Sequence, residues 1–148
     1  MKDEEGEFKE LAQSIQKKID EKEEEDYSKE VLKNYRNPQN FKPIQKPDAT
    51  ATIKGSCGDT MKIELKINQN VINDVGFWTD GCGPSIACGN KLLDMVKGKK
   101  ISEATKINNK KLLKELNGLP KENIHCAKLA VDTLKKAIMK YQKKKIIS

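Results

Sequence analysis

Apolar and charged residues alternate regularly in the segment MKIELKI, whose apolar positions are Met61, Ile63, Leu65 and Ile67. A period of two places these side chains on one face, so the segment predicts a β-strand with one buried side. Asn68-Gln69-Asn70 is typical of a tight turn, and VINDVGFW after it predicts an antiparallel partner strand. Because residues 50–53 predict a third strand, we expect an antiparallel meander.

Apolar residues recur at helical spacing in the segments around this sheet. Residues 27–36 predict a helix that ends at Asn37-Pro38, and Gly83-Pro84 opens a second helix that runs to Gly98. A short helical stretch is expected over residues 102–116. The last helix carries an apolar stripe at Ala127, Val131, Leu134, Ile138 and Tyr141. We expect Asn123 to be its N-cap, which puts His125 and Cys126 in its first turn.

The first 26 residues differ from the rest of the chain. Apolar residues from Phe8 to Ile19 lie at helical spacing and are followed by EKEEED, so we expect a short amphipathic helix and then a charged linker. Such a helix is only marginally stable alone in water. Residues 1–26 are therefore expected to form an acidic extension, partly helical or flexible, ahead of a domain that spans residues 27–148.

Charge divides the chain at the same place. Residues 1–26 contain five lysines and eleven acidic residues, a net charge of −6, and since the whole chain carries +7, residues 27–148 carry +13. A basic body indicates either an anionic partner or charge that serves solubility alone. Only Arg36 among the 29 basic residues is an arginine. Because bidentate base recognition favours arginine, a nucleic-acid partner is not favoured.

The interpretation of the four cysteines depends on the redox state of the cellular compartment. The opening residues MKDEEGEF resemble neither a secretory signal nor a transit peptide, and no apolar stretch approaches the ~20 residues that span a bilayer. We therefore expect a cytoplasmic location without a membrane partner. In a reducing cytoplasm, cysteines indicate metal ligands or reactive thiols before they indicate disulfides.

Three cysteines occupy similar places in the predicted structure. Cys57 lies in the turn GSCGD, Cys82 in DGCGP just before a helix, and Cys126 in the first turn of another helix. Backbone N–H groups at such positions favour the thiolate form. With Asp59 and His125 they make five candidate ligands for iron or zinc at one edge of the sheet. The alternative, buried inert cysteines, stays open because the chain has no C-x-x-C pair.

Cys88 differs from the other three cysteines. It shares a predicted helix face with Leu92 and Met95. We expect it to be a small core residue or to pack behind the ligands, with direct ligation as the alternative.

Four motifs resemble the IscU/NifU-type iron-sulfur cluster scaffold family, in order across residues 27–145. They are NYRNPQN, CGDTMKIELKI, GFWTDGCGPSIACGN and NGLPKENIHCAKLAVDTLKKAI. The resemblance implies an α+β fold, with a small antiparallel three-stranded sheet packed with helices and a long C-terminal helix, as in SufE/NifU-like proteins. It implies a non-enzymatic scaffold that accepts sulfur as persulfide from a cysteine desulfurase of the IscS/NifS type. With iron this sulfur would form a labile [2Fe-2S] cluster that is passed to acceptor proteins.

The resemblance also implies roles for individual residues. Cys57, Cys82 and Cys126 match the three cysteines of the family, Asp59 its C-G-D aspartate, and His125 the histidine of its H-C pair. Cys126 is then the principal sulfur acceptor, Asp59 a labile ligand that keeps the cluster exchangeable, and zinc an alternative occupant of the same ligands.

Two positions depart from the family pattern. Residues 119–123 read LPKEN where many members have L-P-P-x-K, a motif linked to an Hsp70-type chaperone, so we do not carry that partner over to this chain. Cys88 stands where serine is common.

Two other functions remain as alternatives: a zinc-bound persulfide acceptor that relays sulfur, and a basic nucleic-acid-binding module. Nothing in the sequence excludes a homodimer.

Overall fold

A computed structural model describes residues 4–56 and 58–147. Two helices, α1 (Glu4–Asp26) and α2 (Lys29–Arg36), precede three strands, β1 (Ala49–Lys54), β2 (Thr60–Asn68) and β3 (Val71–Thr79). Four helices follow: α3 (Gly83–Val96), α4 (Ile101–Ala104), α5 (Asn109–Glu115) and α6 (Ile124–Ile147). A 3-10 turn, Lys121–Asn123, leads into α6. No helix in the described ranges is long and apolar enough to cross a membrane.

The three strands form the predicted antiparallel meander, in the order β1-β2-β3. Gln69 and Asn70 connect β2 to β3 with φ values of 52° and 64°. Positive φ at both central residues is the signature of a type I′ turn, whose twist matches that of the flanking strands. The turn chemistry and the alternation in β2 therefore agree on one register.

The core lies between the sheet and the helices α3 and α6. The four apolar side chains of β2 are buried, as their alternation predicts, and α6 covers them together with β1. Helix α3 packs on β3, where a Cβ atom added to Gly89 would lie 2.6 Å from the ring of Phe77. Glycine at this position thus allows the helix to approach the strand closely. The expected α+β class with a long C-terminal helix is confirmed.

The charged linker predicted after the first amphipathic segment is wrong, because α1 continues through EKEEED to Asp26. Glutamate and lysine are good helix formers, so the charged run extends the helix. The end of α1 is held to α2 by Arg36, which pairs with Glu23 at 3.2 Å and lies 3.9 Å from Glu24. Helix α2 starts at Lys29, with Ser28 as the N-cap that accepts the N–H of Val31 at 3.0 Å.

Two further boundaries differ from expectation. The helical stretch predicted over residues 102–116 is divided into α4 and α5, and Asn108 caps the second by accepting the N–H of Lys111. Asn123, the expected N-cap of the last helix, belongs to the preceding 3-10 turn, where its N–H donates to Pro120 O at 2.8 Å. Because that turn already supplies helical geometry, Asn123 is not the extended residue that a cap requires.

Three buried asparagines join α2 and α3 to the segment between α2 and β1. Asn90 donates to Asn34 Oδ1 at 2.7 Å and accepts the N–H of Asn40 at 2.9 Å. Asn40 in turn donates to Asp94 Oδ1 at 2.9 Å and accepts the N–H of Phe77. Buried amides need such partners, so the network fixes how α3 lies against α2 and β3. It thereby fixes the start of α3, where Cys82 lies.

Candidate metal centre

Two loops meet at one end of the sheet and carry part of the predicted site. The N–H of Thr60 donates to Asp80 Oδ1 at 2.7 Å, and the N–H of Asp80 lies 3.3 Å from Thr60 O. Gly55 N–H donates to Asp59 O at 2.7 Å. These bonds hold the loop before β2 against the loop after β3. Asp59 and Cys82 consequently come to the same edge.

Cys82 is exposed and is the N-cap residue of α3, with an extended backbone. Its side chain makes no capping hydrogen bond. Tyr27 lines a small cavity of about 120 Å³ together with Cys82. Burial, and then the negative charge of an ionised Cys82, raise the pKa of Tyr27.

Cys126 is the third residue of α6, as the sequence predicts, but only 1% of it is exposed. Its Sγ lies 3.7 Å from His125 Nε2 and 3.4 Å from the hydroxyl of Ser85. The thiol therefore faces the start of α3, between an imidazole and a buried hydroxyl. A sulfur donor or a metal ion reaches it only if the side chain or its surroundings move.

Asp59 reaches the same hydroxyl from the other side. Ser85 Oγ lies 3.4 Å from Asp59 Oδ2. Gly81 passes so close that an added Cβ would lie 2.6 Å from Ser85 Oγ and 3.0 Å from Asp59 Oδ2. A side chain at position 81 would displace one or both of these groups.

Cys88 is fully buried in the core, which confirms the expectation of a core residue. Burial raises the pKa of its thiol well above the ordinary value, and the negative charges of Cys126 and Cys82 add to the effect. Cys88 is the sixth residue of α3, more than one helical turn after Cys82. Burial therefore disfavours its thiolate form.

The structure thus brings together only part of the predicted ligand set. Asp59 and Cys126 contact Ser85, His125 contacts Cys126, and Cys82 is the N-cap residue of α3. Cys57 lies outside the described residues. Within residues 4–56 and 58–147, no three or more histidine, cysteine, aspartate or glutamate side chains are arranged to hold a metal ion. The five-ligand set stays a prediction.

Sequence reasoning missed Ser85. One signal could have found it, because Ser85 is three residues after Cys82 and residues at this spacing share a helix face. Its partners Asp59 and Cys126 are 26 and 41 residues away in the chain, respectively. No local pattern points to contacts of that range.

The donor types at this edge suit iron or zinc. Thiolates bind both metals strongly, whereas imidazole and carboxylate are ligands that exchange more readily. Zinc and iron-sulfur centres both use cysteine, with histidine as an alternative ligand. The chemistry of the described donors therefore fits such a group.

Comparison with known proteins gives the same family for most of the chain. Residues 26–148 match the family model "NifU-like N terminal domain". The chain is 40% identical over 119 residues to "Iron-sulfur cluster assembly scaffold protein IscU 1" of Archaeoglobus fulgidus, covering 80% of this chain and 78% of that protein. It is 42% identical over 125 residues to "Iron-sulfur cluster assembly scaffold protein IscU" of Buchnera aphidicola subsp. Acyrthosiphon pisum, covering 81% and 98%, respectively.

A solved structure supports the same fold. The N-terminal region of a nitrogen-fixing NifU-like protein from Brucella abortus superposes with a TM-score of 0.62 at 23% identity, covering 79% of this chain and 94% of that one. At this identity the likeness concerns the fold alone. The match over residues 26–148 and the two IscU relatives show that the chain belongs to the NifU-like N-terminal domain family.

Proposed function

We propose that this protein is a scaffold on which an iron-sulfur cluster is assembled and from which it is passed to acceptor proteins. The observation that carries the proposal is the group of donors at one edge of the sheet. Cys126 contacts His125 and, through Ser85, Asp59, while Cys82 lies exposed at the adjacent helix start. Relatives about 40% identical carry the name of such a scaffold.

Sulfur would arrive as a persulfide from a cysteine desulfurase of the IscS/NifS type. In the transfer we propose, the Cys126 thiolate attacks the outer sulfur, a new S–S bond forms on Cys126, and the desulfurase cysteine leaves as a thiolate. Because Cys126 is buried in the resting chain, its side chain must leave Ser85 to react. The exposed Cys82 is the competing acceptor.

The cluster would then form from this sulfur and ferrous iron. Reduction of the persulfide sulfur to sulfide consumes two electrons, which an external reductant supplies. We propose Cys57, Cys82, Cys126, His125 and Asp59 as the residues from which the ligands of a labile [2Fe-2S] cluster are drawn. A carboxylate is a harder ligand than a thiolate, which keeps the cluster exchangeable. Zinc would use the same residues in a sample without iron.

Anaerobic reconstitution tests this function. The metal-free chain is incubated with ferrous iron, cysteine, a desulfurase and a reductant, and the product is followed by visible absorption and Mössbauer spectroscopy. The signals of a [2Fe-2S] centre, together with its transfer to an apo-ferredoxin, would support the scaffold. If the chain instead holds only zinc and passes persulfide onward, it is a sulfur relay and the scaffold proposal fails.

Cysteine variants identify the sulfur acceptor in the same assay. We expect Cys126→Ser to abolish persulfide formation, measured by mass spectrometry of the intact chain, while Cys88→Ser retains it. Retention in Cys126→Ser with loss in Cys82→Ser would assign acceptance to the exposed thiol. A cytoplasmic location and the desulfurase partner remain predictions, and the Hsp70-type chaperone is not proposed because LPKEN departs from the family motif.

A further inference from the structure

The hydroxyl of Ser85, in the first turn of α3, lies against two of the candidate ligands. The residue is fully buried, and its described partners are Cys126 Sγ and Asp59 Oδ2, each 3.4 Å from Oγ. Ser85 is the third residue of α3, so the carbonyl four residues before it belongs to Gly81 and lies outside the helix. Its single proton is directed towards the candidate ligands. Thr133, inside α6, instead donates to Leu129 O at 2.7 Å, as a buried hydroxyl within a helix can do.

The two contacts differ in quality. A separation of 3.4 Å suits a hydroxyl and a large sulfur atom but is longer than an ordinary O–H···O bond. In the metal-free chain the Ser85 hydroxyl therefore donates its proton to Cys126 Sγ. The Asp59 carboxylate lies at the longest distance that an O–H···O hydrogen bond allows. Since each atom is 3.4 Å from Oγ, Cys126 Sγ and Asp59 Oδ2 are at most about 6.8 Å apart.

The backbone beside the hydroxyl is arranged to make room for it. An added Cβ at Gly81 would lie 2.6 Å from Ser85 Oγ and 2.7 Å from Ser85 Cβ. The loop after β3 therefore confines the serine side chain and limits its rotation away from Asp59 and Cys126. Confinement of this kind is what a group needs in order to position ligands.

We propose that Ser85 is a positioning residue of the metal centre. Its hydroxyl contacts both Cys126 Sγ and the Asp59 carboxylate and would orient these two groups towards the metal, donating its proton to the Cys126 sulfur. Partners that orient ligands in this way tune both the affinity and the electronic properties of a centre. This inference rests on the proposed function, because it assumes that Cys126 and Asp59 meet metal.

The test measures Zn²⁺ affinity of the metal-free chain under anaerobic conditions, by competition with a chromophoric chelator. We expect Ser85→Ala to bind Zn²⁺ roughly 10- to 100-fold more weakly than the parent chain. Alanine fits a helix, and circular dichroism verifies that the variant folds. Thr133→Val is the matched control, because it removes a buried hydroxyl from the same core without contact to the site, and we expect its affinity to stay within about twofold of the parent.

A second measurement separates positioning from packing. Cobalt(II) replaces zinc, and the thiolate-to-cobalt absorption band is compared between the parent, Ser85→Ala and Ser85→Thr. Loss of the O–H···S bond should shift the band in Ser85→Ala, and a folded Ser85→Thr should restore it. Thr133→Val should leave the band unchanged.

The results distinguish failure of the Ser85 inference from failure of the proposed scaffold function. If the parent binds Zn²⁺ and Ser85→Ala binds it equally well with an unshifted cobalt band, the inference on Ser85 is wrong and the scaffold function is unaffected. An equal loss in Thr133→Val would also overturn it, because the effect would then belong to any buried hydroxyl. If the parent binds neither Zn²⁺ nor Fe²⁺, the proposed function fails and the role of Ser85 fails with it.

Discussion

At the scale of single residues, exposure separates the cysteines more sharply than their sequence context does. Cys82 and Cys126 both lie at helix starts in the sequence, and Cys88 lies further into α3, yet only Cys82 of the three is exposed. Thiol reactivity depends on both access and thiolate character. The three described thiols should therefore react in a definite order.

Alkylation of the native metal-free chain tests this order. We expect iodoacetamide to modify Cys82 first and Cys88 last, because Cys88 is fully buried and burial raises the pKa of its thiol. Peptide mapping by mass spectrometry over a time course gives the individual rates. Modification of Cys88 as fast as Cys82, without unfolding, would contradict the structure.

The raised pKa of Cys88 also predicts how stability depends on pH. In the unfolded chain the thiol ionises near its ordinary pKa of about 8.5, whereas in the folded chain it keeps its proton to higher pH. The unfolded chain then binds fewer protons, so the free energy of unfolding falls as pH rises above about 8.5. We expect Cys88→Ala to be less stable at pH 7 but to show a shallower fall between about pH 8.5 and 10 in urea titrations. Parallel curves for the two proteins would refute this assignment.

At the scale of elements, local pattern and tertiary contact decide different things. The alternation in β2 and the turn at Gln69-Asn70 specify the hairpin, because both signals lie within the hairpin itself. The placement of α3 depends on amides from three separate segments. Helix periodicity predicts that α3 exists, but it does not predict which elements hold it.

Removing the central amide of this network should weaken the whole domain. Asn90→Ala removes the donor to Asn34 Oδ1 and the acceptor of the Asn40 N–H, while Asn34 Nδ2 still donates to Glu30 O. We expect a loss of roughly 2–4 kcal/mol in the free energy of unfolding. Asn73→Ala on the exposed side of β3 is the control and should cost much less. Urea denaturation measures both. A loss below about 1 kcal/mol for Asn90→Ala would mean that water replaces the amide.

At the scale of the whole molecule, an acidic helix projects from a basic body. The contacts of α1 with α2 are at its end, where Arg36 meets Glu23 and Glu24. Its apolar side chains stay exposed, from 72% for Phe8 to 46% for Ile19. The family match begins at residue 26, where this helix ends. The helix thus lies ahead of the residues that match the family and contributes none of the buried apolar core residues among those that the structure describes.

Deletion of residues 1–22 tests that view. Surface ion pairs contribute little stability, and the truncated chain keeps Glu23 and Tyr27. We expect its melting temperature to stay within about 4 °C of the full chain and its Zn²⁺ affinity to be unchanged. Calorimetry and the chelator competition measure the two quantities. A larger fall in melting temperature would show that α1 stabilises the body directly.

The sequence by itself determined the elements and the chemical class of the site. Periods of two and of 3.6 residues follow from backbone geometry, so the meander and the stripe of α6 could be predicted locally. The resemblance of its motifs named the family and the five candidate ligands. The errors fell at boundaries, where α1 ran through the charged segment and a 3-10 turn replaced the cap at Asn123.

Only the tertiary structure decided how the site is arranged. It buried Cys126, left Cys82 exposed, and placed Ser85 between Cys126 and Asp59. These contacts join residues 26 and 41 positions apart, on the loop before β2 and on the helices α3 and α6. Their geometry depends on how α3 and α6 pack on the sheet, and packing is set by the whole core, which local patterns do not encode.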